Sequence, residues 1–169
     1  MLLKNEELTE GRTQHPALGK FTLPHQRVIR ARHDLNLLDI DREELTFRRL
    51  IPKLNPFLAS LNLRSIPPQT DFLWPELERE CASAMIRTHL QFGRAYGQQL
   101  RDEQSVNILA DRLLDSGIRF YSNYAAPINE DGSIAMELEG ESITDYTFEF
   151  AILALQHATL TLFLSLDED

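Results

Sequence analysis

The spacing of apolar residues changes at Gly117, and this change constrains the fold of the chain more than any other feature. Before Gly117, apolar residues recur every three or four positions, which is the period of an amphipathic helix. After it, Ile118 and Phe120 alternate with less apolar neighbours, which is the period of a half-buried strand. The sequence therefore predicts an α+β protein, in which an N-terminal helical half packs on a C-terminal antiparallel meander of about four strands.

The main helices are predicted at three places before Gly117. Asp41 has the setting of a helix N-cap, and Pro52 is expected to kink or end the helix that follows because proline lacks a backbone donor. A second helix is predicted over Trp74–Tyr96 and a third over Asp102–Ser116, since both segments place apolar residues at helical spacing.

The chain divides into an arm and one domain. Residues 1–24 are polar with little periodicity, which is typical of an arm, and residues 25–169 are predicted to form a single α+β domain. In this domain the helices extend to about residue 117 and the strands occupy residues 118–166. Residues 25–40 are rich in apolar side chains but show no clear period, so the sequence does not distinguish helix from strand in this segment. A turn is predicted at Asn129–Gly132, and the strands after it cover Ile134–Leu138, Tyr146–Leu155 and Thr159–Leu166.

The charge of the chain is acidic and unevenly distributed. The chain contains 17 Lys and Arg residues and 26 Asp and Glu residues, a formal net charge of −9, which argues against a nucleic-acid partner. Residues 1–70 carry 11 basic and 8 acidic side chains, whereas residues 71–169 carry 6 and 18, a net charge of −12. An acidic second half is compatible with a solubilising surface or with a face for a basic protein partner, since complementary charge speeds the encounter.

No signature of catalysis or of a bound cofactor stands in the sequence. The single cysteine, Cys81, excludes an internal disulfide, and its position on a helical apolar stripe predicts that it is buried. The five histidines match no metal-ligand spacing, and neither a catalytic serine elbow nor a phosphate loop occurs. We therefore predict no catalytic residue, no metal and no cofactor. Without a secretory or membrane-spanning apolar run, the chain is expected to be cytoplasmic and free of membranes.

The C-terminal residues resemble a known family. Ser142–Phe150 mixes polar and aromatic residues, an apolar run follows over Ala151–Leu155, and Leu162–Leu166 leads into the acidic Asp167–Asp169. Over about 30 residues, this pattern resembles the closing hairpin of small bacterial immunity proteins. The resemblance implies a cytoplasmic protein that binds a cognate toxin and neutralises it.

A partner-binding surface is predicted on the strands that follow residue 117. Aromatic side chains anchor many protein interfaces, and acidic neighbours would attract a basic toxin. Steric cover of the toxin's active site would then block its activity. The predicted contact residues are Tyr121, Tyr124, Glu137, Glu139, Glu141, Asp145, Tyr146 and Glu149.

Two other functions are compatible with the same sequence. An acidic secretion chaperone or adaptor would form a homodimer with an apolar groove for an extended partner segment. A hydrolase would use paired strand carboxylates, with one of Glu137, Glu139 and Glu141 brought within roughly 5–8 Å of Asp145 or Glu149. The sequence leaves the oligomeric state open.

Overall fold

A computed structural model describes residues 3–9, 26–92, 99, 101–115, 118–124, 140–145 and 148–167. Over these residues the chain forms an antiparallel sheet with helices on both of its faces, which confirms the α+β class. The strands are β1 (Leu3–Thr9), β2 (Gln26–Asp34), β3 (Glu76–Leu77), β4 (Arg119–Ser122), β5 (Phe148–Gln156) and β6 (Thr159–Asp167). The α-helices are α1 (Phe47–Ser60), α2 (Arg79–Gln91) and α3 (Glu103–Leu114).

The hairpin of β5 and β6 forms the centre of the sheet. The six described strands lie in the order β1-β2-β6-β5-β4-β3, and each neighbouring pair is antiparallel. The two hairpin strands have nine residues each and pair over their whole length, from Phe148 opposite Asp167 to Gln156 opposite Thr159. Their connection is a two-residue turn, in which His157 adopts a φ of 56°.

Both faces of this central hairpin are buried, because side chains of a strand alternate between the two faces. On one face, which we call the α1 face, Leu153, Leu160 and Leu162 pack against α1. On the opposite face, which we call the α2–α3 face, Phe150 and Phe163 pack against the two later helices. Strands that are buried on both faces are often nearly continuous apolar runs, as β5 is from Phe150 to Leu155, whereas β6 also buries the polar Thr161 and Ser165.

Helix α1 begins later than predicted and is not interrupted at Pro52. Asp41 caps only a short 3-10 helix at Arg42–Glu44, and Thr46 is the N-cap of α1, accepting a hydrogen bond from the Arg49 amide at 3.4 Å. Pro52 was expected to kink or end the helix, and the expectation of an end is wrong because α1 continues to Ser60. An internal proline costs about 3 kcal/mol, but the ring of Pro52 is exposed and the opposite side of the helix is completely buried. That buried side consists of Phe47, Leu50, Ile51, Leu54, Phe57 and Leu58.

The predicted helix over Trp74–Tyr96 is shorter and begins after a different element. Residues Pro68–Leu73 form a 3-10 helix that Trp74 ends, and β3 follows before α2 begins at Arg79. Pairing with β4 explains the difference, since Glu76 and Leu77 lie opposite Tyr121 and Phe120 in the sheet. This tertiary contact overrides the helical preference of the local sequence. The predicted C-terminal end near Tyr96 lies outside the described residues.

The prediction of helices before Gly117 and strands after it is wrong for three strands. Strand β1 lies within the predicted arm, β2 shows that Gln26–Asp34 of the segment left open is strand, and β3 precedes α2. The pairing of β2 with all nine positions of β6 supplies the reason, because a sheet joins segments that are distant in sequence. The predicted turn Asn129–Gly132 and the strand Ile134–Leu138 lie outside the described residues.

Cys81 is half-buried rather than buried. Its sulfur lies 3.9 Å from that of Met85 at the margin of the core between α2 and α3. Partial burial raises the pKa of the thiol above its ordinary value, which lowers its reactivity. No helix in the described part of the chain is both long and apolar enough to cross a bilayer.

Candidate functional site

A buried carboxylate organises the end of the sheet where β4 finishes and β5 begins. Glu149 is 1% exposed, and five N–H and O–H groups lie within 2.6–2.9 Å of its two oxygens. The donors are the Asn123 amide, the Ser142 hydroxyl, the Ile143 backbone N–H, and the backbone N–H and hydroxyl of Thr144. A carboxylate has about four acceptor positions, so the chain saturates this group. Glu149 is therefore a structural carboxylate that fastens residues 142–144 to the sheet.

Asn123 extends this network to both sides. Its side-chain oxygen accepts a hydrogen bond from the Ala151 amide at 2.7 Å, and its side-chain nitrogen donates to Glu149 and to the Glu141 carbonyl. Its backbone carbonyl also accepts from the Glu141 amide at 3.2 Å. Gly140 lies so close that an added Cβ would overlap this same carbonyl oxygen, and only glycine fits there.

Segment 140–145 is also tied to the loop that follows α1. The Arg64 backbone N–H donates to the Ile143 carbonyl at 2.7 Å, and the Arg64 guanidinium forms an ion pair with Asp145. The Thr70 hydroxyl hydrogen-bonds the carboxylate of Glu141. Residues from three parts of the sequence thereby form one rigid surface at this end of the sheet.

An exposed aromatic ring stands on this surface. Phe72, in the 3-10 helix Pro68–Leu73, is 73% exposed, whereas Trp74 two residues later is buried. Asp71 precedes the ring, and the Thr70 contact brings the Glu141 carboxylate to the same helix. We call Asp71, Phe72, Glu141 and Asp145 the Phe72 surface.

The predicted contact residues separate into three groups. Tyr121 and Glu149 are buried, so the prediction that they contact a partner at the surface is wrong. Tyr121 packs in the core on the α1 face of the sheet. The Glu149 carboxylate is buried because it binds donors of Asn123 and of residues 142–144. Tyr124 and Glu141 are half-buried and Asp145 is exposed, and all three belong to the segments that the Glu149 network joins. Glu137, Glu139 and Tyr146 lie outside the described residues.

Sequence reasoning missed Phe72. It stands between a proline-containing segment and the predicted helix over Trp74–Tyr96, where no periodicity indicates which way a side chain points. The alternation of exposed Phe72 with buried Trp74 exists only because the 3-10 helix turns one toward solvent and the other toward α1.

Tyr121 is part of an aromatic cluster on the α1 face. The Phe47 ring lies between Trp74, at 5.4 Å between centroids, and Tyr121, at 4.9 Å. The Trp74 indole nitrogen and the Tyr121 hydroxyl are both shielded from solvent and find no hydrogen-bond partner among the described residues. Burial, helped by the nearby Glu76 carboxylate and opposed by Arg119, raises the pKa of Tyr121 to about 12.

We expect Tyr121→Phe to stabilise the protein by about 1 kcal/mol at neutral pH, because it removes a buried hydroxyl without a partner. The effect should grow with alkalinity. The pKa of Tyr121 is about 10 in the unfolded chain and about 12 in the fold, so wild-type stability falls as pH rises from 10 to 12. Urea unfolding at pH 7 and pH 11 measures both effects. Equal stability losses in wild type and variant between these pH values would contradict the assignment.

The described residues do not assemble the groups that a hydrolase or a metal site would need. No cluster of three or more His, Cys, Asp or Glu side chains in this part of the chain could hold a metal ion. Glu149 is saturated by donors, so it is not available as one of the paired carboxylates of the hydrolase alternative. In comparisons with known proteins, no family model, no curated protein and no solved structure matches this chain.

Proposed function

We propose that this chain is an acidic protein-binding module of the immunity type, which binds a basic toxin and covers its active site. The observation that carries the proposal is Phe72, a large aromatic side chain that is 73% exposed although the 3-10 helix around it is fixed by hydrogen bonds. Exposed and rigid aromatic residues are typical anchors of protein interfaces, because they bury much area with little loss of conformational entropy.

The charges around Phe72 support a basic partner. Asp71 precedes Phe72, the Glu141 carboxylate contacts Thr70 of the same 3-10 helix, and Asp145 lies on the segment that contains Glu141. The chain after residue 70 carries a net charge of −12. Asp145 is paired with Arg64, but both side chains are more than half exposed, and an exposed ion pair contributes only about 0–1 kcal/mol. A partner's lysine or arginine can therefore replace Arg64 at low cost.

The rigidity of the Phe72 surface fits a blocking function. Segment 140–145 is fastened through the Glu149 network, and the 3-10 helix is fastened to that segment through Thr70. A surface that is ordered before binding loses little entropy on binding, which favours high affinity. Glu137, Glu139 and Tyr146 remain predicted contacts, since they adjoin this segment in the sequence.

The proposal is tested by capture followed by kinetics. Immobilised wild-type protein is expected to retain a basic protein from the source lysate, and Phe72→Ala should weaken its binding at least 30-fold, as loss of a central anchor does. Asp145→Lys should lower the association rate severalfold at low salt and reduce the dependence of that rate on salt. The matched controls are Ile108→Ala, an exposed apolar residue on α3, and Glu43→Lys, an exposed acid near α1.

Two results would contradict the proposal. One is that Phe72→Ala binds the captured protein as tightly as Ile108→Ala does. The other is that the captured protein is acidic, or that its activity persists in the complex.

A further inference from the structure

Two polar side chains face each other across β2 and β6 without bonding to any described group. Arg32 lies directly opposite Thr161 in the antiparallel register. Residues opposite each other project from the same face of the sheet, with Cβ atoms about 4.5–5.5 Å apart. Phe163, two residues after Thr161, packs in the α2–α3 core, which places the pair on the α2–α3 face.

The polar atoms of this pair are shielded from water. Thr161 is 1% exposed, and its hydroxyl finds no hydrogen-bond partner in the described ranges. Arg32 is half-buried, and its Nε atom is likewise shielded and without a partner there. Shielded donors of this kind are costly to leave unbonded, so native structures pair them with an acceptor.

Among the residues that the structure describes, Arg32 contacts no carboxylate, although the chain is rich in Asp and Glu. Five other arginines, at positions 49, 64, 79, 87 and 119, each contact an Asp or Glu. On the side of β2 that carries Arg32, the strand also presents Arg30, which lies opposite Glu6 of β1, and Asp34, whose carboxylate accepts a hydrogen bond from Thr159 at 2.9 Å. Asp34 is thus held two positions along the strand from Arg32.

We infer that Arg32 and Thr161 form a binding site for a small oxyanion, a phosphate or carboxylate group, on the α2–α3 face of the sheet. The guanidinium fork of arginine matches the geometry of both groups, and a neighbouring hydroxyl donates a further hydrogen bond. Because Arg32 is only half-buried, an anion reaches its side chain from solvent, and contact with the Thr161 hydroxyl requires the side chains that now shield it to move aside. This site is separate from the Phe72 surface and does not depend on the function proposed for it.

The inference is tested by titrating the full chain with sodium phosphate and sodium acetate, against sodium chloride at equal ionic strength. Thermal unfolding and isothermal calorimetry are the readouts. At least one oxyanion is expected to raise the midpoint temperature beyond the effect of chloride, and the comparison of phosphate with acetate identifies which group the site prefers.

Two variants assign the effect to the site. Arg32→Gln should weaken oxyanion binding at least tenfold, whereas Arg48→Gln, which removes the same charge from an exposed position on α1, should not change it. Thr161→Val should weaken binding severalfold yet raise the midpoint temperature of the anion-free protein, because it removes a buried hydroxyl without a partner. A purely structural threonine would give no such opposite changes. Equal anion effects in Arg32→Gln and Arg48→Gln, or no effect of either oxyanion beyond chloride, would overturn the inference.

Discussion

Replacement of Glu149 by glutamine is expected to lower the free energy of unfolding by about 3 kcal/mol. The two side chains have the same shape, but the amide NH2 of glutamine would replace an oxygen that now accepts hydrogen bonds. On the Oε2 side that oxygen receives the Ser142 hydroxyl and two donors of Thr144, so a donor would face donors in a buried setting. Hydrogen bonds to a charged group contribute about 1.5–3 kcal/mol each, and shielded unsatisfied donors add to the loss.

Urea unfolding followed by circular dichroism measures this change. The matched control is Glu141→Gln, which affects a half-buried carboxylate bonded by the Thr70 hydroxyl and should cost less than about 1 kcal/mol. If Glu149→Gln were no more destabilising than Glu141→Gln, Glu149 would not hold segment 140–145 in the way described.

Truncation of Phe47 to alanine is expected to cost about 3–5 kcal/mol. The Phe47 ring is buried between Trp74 and Tyr121, and both contacts disappear in the variant. The rigid sheet beneath and the 3-10 helix beside it limit collapse of the cavity, which places the cost in the upper part of the range for large-to-small core substitutions.

Trp74 is the single tryptophan of the chain, so its fluorescence reports directly on this cluster. We expect Phe47→Ala to lower the unfolding midpoint in urea and to change the emission of the folded protein. Phe47→Leu retains most of the apolar volume and should lose less than half as much stability. Equal losses for the two variants would show that the aromatic contacts and the cavity do not determine the stability of this region.

The sequence predicted correctly those helices and strands in which the spacing of apolar residues follows from their packing against the core. The strands β5 and β6 were predicted within two residues of their ends, because long apolar runs with β-branched and aromatic residues have few alternatives. Helix α3 was likewise predicted from an Asp102 start, and Asp102 is its N-cap. The starts of α1 and α2 were misplaced, since the selection of Thr46 over Asp41 and the pairing of β3 depend on tertiary contacts.

The candidate site was predicted less well, for a physical reason. Glu149 stands between Phe148 and Phe150 in an apolar strand, and a lone acid in such a strand indicates either a solvated position or a buried position with dedicated donors. The donors come from Asn123 and from residues 142–144. The pattern of a single sequence does not show that these residues lie close to Glu149 in the folded protein. The same holds for Phe72, whose exposure depends on where the 3-10 helix turns.

The pairing of β2 with β6 has a consequence for the order of events during synthesis. Asp34 and Thr159 are neighbours in the sheet, yet 125 positions separate them in the chain. Ribosomes produce the partner of β2 many seconds after β2 itself, and contacts of such high sequence separation form slowly. Until β6 emerges, β2 has an open edge of unpaired backbone groups, the kind of edge from which intermolecular association starts. Strand β2 contains three arginines, Arg27, Arg30 and Arg32. Their positive charge opposes association between copies of this open edge before β6 is synthesised.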